Sequence, residues 1–61
     1  MDNGIRKLRR MKNMRIEDLA DASGVPASTI SDIEHGAEPR VGTAIRLARA
    51  LSTTVESLWN V

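Results

Sequence analysis

Apolar residues recur at three- and four-residue spacing along nearly the whole chain, and the recurrence breaks where glycine, proline or asparagine interrupts it. Ile5 and Leu8 share the inner side of a first helix running from about Gly4 to Lys12, with Asn3 as its cap and Met11 at its edge. Asn13 and Met14 make the bend that follows. Leu19, Ala20, Val25, Ile30 and Ile33 then fit one helix through Ala22, a turn at Gly24, and another helix from about Pro26. Beyond the loop AEPR, Val41, Ala44, Ile45, Ala48 and Leu51 mark a fourth helix. Thr53 and Glu56 have the spacing of a capping box, with Thr54 as the alternative cap, for a short last helix carrying Val55, Leu58 and Trp59. No stretch alternates with the period of a half-buried strand. The pattern predicts an all-α, five-helix domain over residues 1–61, with no repeat or linker.

The segment from Arg15 to Gly36 organises the rest. Gly24 sits where the chain must reverse, a place that often needs a positive φ, and Ala20 is small where two steeply crossed helices approach. Pro26 fits the start of the third helix, where a missing N–H loses nothing, and Gly36 fits a left-handed cap at its end. Val25, Ile30 and Ile33 form a buried seam, which leaves Ala27, Ser28, Ser31 and Asp32 facing out. Two helices hinged in this way are a helix-turn-helix, here over about residues 16–35.

Composition narrows the function classes. Sixty-one residues hold one small core, and 41% hydrophobic content is too high for a disordered tail. Without cysteine there is neither a disulfide framework nor a thiolate metal site, so a reducing cytoplasm is the expected compartment. No apolar run is long enough for a membrane span, and the N-terminus lacks the apolar region of a signal peptide.

The net charge of +1 hides an asymmetry. Arg6, Lys7, Arg9, Arg10, Lys12 and Arg15 follow one another with no acid among them, whereas residues 16–35 hold Glu17, Asp18, Asp21, Asp32 and Glu34 with no lysine or arginine. A basic first helix attracts phosphate; the outward helix has nothing cationic except His35 when that residue is protonated. Arg9 lies on the inner half of the first helix, where burial demands a partner, and Glu34 is the expected one. Glu17 and Asp18 complement the positive end of the second helix. Asp18 and Asp21 have no histidine near them, so neither a metal site nor an acid–base pair is expected. His35, in a last helical turn, reads as a helix-end residue rather than a ligand. With one histidine, no phosphate-cradling glycine loop and no serine beside a base, the chain is not expected to be an enzyme, nor to need a cofactor or small-molecule ligand.

IRKLRR in the first helix, EDLADASGV through the turn, STISDIEHG in the third helix and AIRLARALSTTVESLW at the end together resemble the lambda-repressor and Cro-like helix-turn-helix family, also called the XRE family. The resemblance covers essentially the whole chain. It implies a compact five-helix domain that binds a double-stranded DNA operator as a homodimer, with the third helix in the major groove. By position, Ala27, Ser28 and Asp32 are then base-facing, Arg15, Ile16, Thr29 and Arg40 phosphate-facing, and Arg9 and Glu34 the family's internal ion pair.

The chain departs from the family pattern at several of these places. Arg15 and Ile16 stand where a hydroxyl cap and a glutamine are usual, so an amide donor is missing and Arg15 substitutes as a cation. Long polar side chains are common on the outer third helix. Here Ala27 is suited to a thymine methyl, Ser28 to a base edge and Asp32 to a cytosine amine. Ala37 and Glu38 leave Arg40 as the one cation of a loop that is commonly basic. Leu58, Trp59 and Val61 form an apolar end expected to divide between the core and a second copy. The expected function is a small transcriptional regulator, a repressor; the alternative is a protein-interaction module that keeps the fold and meets a basic partner through its acidic face.

Overall fold

Each helix begins with N–H groups that have no partner within it, and this chain places a side-chain acceptor at three of its five described starts. In the computed structural model, which describes residues 3–59, α1 spans Ile5–Met11 and α3 spans Ala27–Glu34. Asn3 Oδ1 accepts the Ile5 N–H at 3.1 Å while its Nδ2 donates to Ile33 O at 2.8 Å, so one side chain both caps α1 and pins it to α3. Helix α2, Ile16–Ser23, opens at Arg15, whose N–H is accepted by Asp18 Oδ2 at 2.8 Å. Arg15 carries no acceptor, so only this half of a reciprocal cap forms. Helix α4 is Val41–Ala50 and α5 is Val55–Trp59. The cap of α5 is Thr54 rather than Thr53: its Oγ1 accepts the Ser57 N–H at 3.1 Å, which moves the expected geometry one residue along and makes Ser57, not Glu56, the third helical position.

Gly24 closes α2 in the left-handed conformation, φ 74°, with its N–H bonded to Ala20 O at 2.9 Å. A Cβ there would meet nothing within 4 Å, so the position requires glycine for its backbone and not for space. Asn13 (φ 56°) and Ser52 (φ 54°) make comparable reversals with a side chain present.

Leu19 of α2, fully buried, stands at the centre of the core with Ile5, Ile30, Leu47 and Leu51. Helix α2 packs on both α3 and α4, and α5 closes against α4. On α4 the core stripe is Ala44, Leu47, Ala48 and Leu51. Val41 and Ile45, expected inside, are 78% and 39% exposed. Successive residues of a helix lie about 100° apart, so once Ala44 and Leu47 point inward Ile45 turns to the flank, while Val41 in the first turn lies beyond the core. Met11 is exposed rather than at the edge of the core. The two ends of the described chain meet: the Gly4 N–H donates to Leu58 O at 2.7 Å.

Candidate nucleic-acid interface

The seam of Ile30 and Ile33 decides which way α3 faces, because burying both turns the opposite side to solvent. Ser28 and Asp32 are exposed there; Ala27, Thr29 and Ser31 are half-buried. Ser31 O accepts the His35 N–H at 3.1 Å and lies 2.7 Å from His35 Nδ1, so the imidazole finishes the helix. Beside this face an open cleft of about 410 Å³ runs between the turn, α3 and the loop to α4. Thr29, Asp32 and Arg40 line it together with Glu38, Thr43 and Arg46. The cleft therefore gathers three of the expected site residues and adds Arg46 of α4.

Arg15 and Ile16 lie apart from the cleft at the start of α2. Arg15 is exposed, whereas Ile16 is half-buried with its side chain packed on the core, so what it presents outward is its first-turn N–H. Arg40 occupies the equivalent place before α4, and both arginines sit in extended backbone with ψ of 164° and 156°. Each guanidinium thus adds to the positive end of a helix dipole.

Behind α3 the Arg9 and Glu34 side chains, 12% and 5% exposed, form a two-pronged pair. Arg9 Nε donates to Glu34 Oε2 at 2.8 Å and Nη2 to Oε1 at 3.1 Å, while Nη1 donates to Met14 O at 2.9 Å. Hydrogen bonding to Glu34 raises the guanidinium's pKa above the ordinary arginine range against the opposing effect of burial. One charged pair thereby ties α1, the bend at Met14 and the end of α3 together.

Leu58 and Trp59 are buried in the chain's own core, the first part of the expected division; Val61 lies outside the described residues. The Trp59 indole N–H has no acceptor among the described residues. Among those residues no group of three His, Cys, Asp or Glu side chains is placed to hold a metal ion. No helix among them is long and apolar enough to cross a membrane.

Comparison with known families matches residues 5–58 to a family model described as helix-turn-helix. Comparison with curated proteins and with solved structures gave no match.

Proposed function

The chain belongs to the helix-turn-helix family of the lambda-repressor and Cro type, and from that premise we propose a sequence-specific double-stranded DNA-binding repressor that acts as a dimer with α3 in the major groove. The family is one of DNA-binding regulators rather than enzymes. The observation that carries the proposal is the exposure of Ser28 and Asp32 on the side of α3 opposite its buried seam, with Asp32 lining one cleft together with Arg40 and Arg46. An α-helix with its side chains is about 10–12 Å across, and the major groove is about 12 Å wide. In this reading Ser28 and Asp32 meet base edges, Ala27 a thymine methyl, and Arg15, Thr29 and Arg40 the phosphates. The N–H of Ile16 joins that phosphate set. Control comes from concentration and association, in a cytoplasmic protein with no small-molecule ligand.

Selection of binding sites from random duplexes at two salt concentrations tests it. An enriched inverted repeat whose binding weakens steeply with salt is expected. No enriched motif at either salt overturns it.

Asp32 and Glu38 on the cleft favour a second reading, an acidic docking face for a basic protein. Under that reading Asp32→Lys abolishes capture of the basic partner. Retained capture removes it.

A further inference from the structure

We infer that Asn3 is a self-modifying site, which deamidates through the Gly4 nitrogen when α5 withdraws from the start of α1, and whose product unpins α1 from α3. The inference does not depend on what the chain binds. Of the asparagines at positions 3, 13 and 60, only Asn3 is followed by glycine; Met14 and Val61 follow the others. A side chain on the next residue shields the backbone nitrogen that attacks the amide, and glycine leaves it open. The fold itself does not ask for that glycine. Gly4 holds φ at −95°, outside the left-handed region, and a Cβ there would meet nothing nearer than Leu58 O at 3.7 Å, an ordinary contact.

The chemistry needs only water. The Gly4 nitrogen bonds to Asn3 Cγ, and Nδ2 leaves as ammonia with the proton that the Gly4 N–H gives up. One water then opens the cyclic imide at either of its carbonyls, giving aspartate or an isoaspartate whose main chain runs through the former side chain. Nothing is oxidised or reduced.

In the closed fold every polar atom of that step is engaged. The Gly4 N–H donates to Leu58 O at 2.7 Å, Asn3 Nδ2 donates to Ile33 O at 2.8 Å, and Oδ1 accepts the Ile5 N–H at 3.1 Å. Attack therefore requires Leu58 to move off and the Asn3 amide to turn from Ile33. Helix α5 has five residues and packs on α4, so it is a piece of the fold that opens without the rest. Either product has a carboxylate where the amide stood, with no N–H for Ile33 O. Aspartate keeps the cap on the Ile5 N–H and loses the bond to α3; isoaspartate also lengthens the main chain and shifts the cap. Because ammonia is lost, each event is permanent, and the chain records how often this corner has opened.

The test follows the mass of the whole chain and of its N-terminal peptide over weeks at mildly alkaline pH, in buffer and in urea. Replacing ammonia by water raises the mass, and peptide mapping locates the change and separates isoaspartate from aspartate. Wild type should change at Asn3 before Asn13, and more slowly in buffer than in urea by about tenfold or more, since closed copies do not react. Gly4→Ala, which the backbone and the space around it accept, should fold normally and slow the change in both solutions. Leu58→Ala removes most of a buried side chain of α5 and should raise the rate in buffer toward that in urea. Aged chain should melt several degrees below fresh chain, and Asn3→Asp should be lowered in the same sense. An Asn3 that outlasts Asn13 in urea, equal rates in buffer and urea, an undiminished rate in Gly4→Ala, an unchanged rate in Leu58→Ala, or an aged chain that melts with the fresh one overturns the inference.

Discussion

Single residues carry two stability predictions. Ser52 holds φ at 54°, where an L side chain costs about 1–2 kcal/mol and glycine pays nothing for sterics. Glycine also loses more entropy on folding, so Ser52→Gly should stabilise by a net of about 0.5–1 kcal/mol, raising the melting temperature by a few degrees. Glu34→Ala should act in the opposite sense. It leaves a nearly buried guanidinium with only Met14 O, and thermal unfolding should show a loss of about 3 kcal/mol. The pair's pH dependence follows from the direction of the Arg9 shift. A cation whose pKa is raised on folding contributes fully below its unfolded value and loses that contribution as pH rises through the folded one. Arg9 should therefore contribute equally at pH 7 and pH 10, with loss confined to strongly alkaline pH above the ordinary arginine range. This pair is legible in the sequence because an inward arginine must find an acid; the Arg9 bond to Met14 O is not, since any carbonyl can accept.

At the level of elements, the two arginine-headed helices and α3 should separate by kind of effect. If Arg15 meets a phosphate as proposed, Arg15→Ala should weaken binding to all duplexes alike and reduce the salt slope by about 1. Ser28→Ala should instead alter the selected sequence while the salt slope stays put. Binding-site selection and salt titration of each variant check both. The hinge was readable because Gly24 is demanded by backbone geometry, which is local, and because Val25, Ile30 and Ile33 leave α3 one inward side. Helix α4 was less so: Val41 and Ile45 share the spacing of core positions, and only the packing of α2 on α4 selects Leu47 over Ile45. Capping of α5 slipped by one residue because Thr53 and Thr54 each have a polar residue three places on, and spacing alone does not choose between them. Arg46 joins the cleft through the path of the α3–α4 loop, which no periodicity encodes.

At the scale of the whole molecule, the described residues span 25 × 20 × 18 Å. Its longest dimension is shorter than the roughly 34 Å between equivalent faces of a duplex, so under the proposed reading one copy would cover one half-site and an inverted repeat would need two.

The bond from Gly4 N–H to Leu58 O brings the beginning and end of the domain within a residue's reach of each other. A short peptide joining them would make a seamless ring without disturbing any helix, and new ends could be cut elsewhere. Such a circle denies the unfolded chain much of its freedom; by the entropy of closing a loop of about 60 residues the gain is about 4 kcal/mol. Circularised protein should accordingly melt well above the linear form, and two domains fused head to tail would both radiate from that single junction.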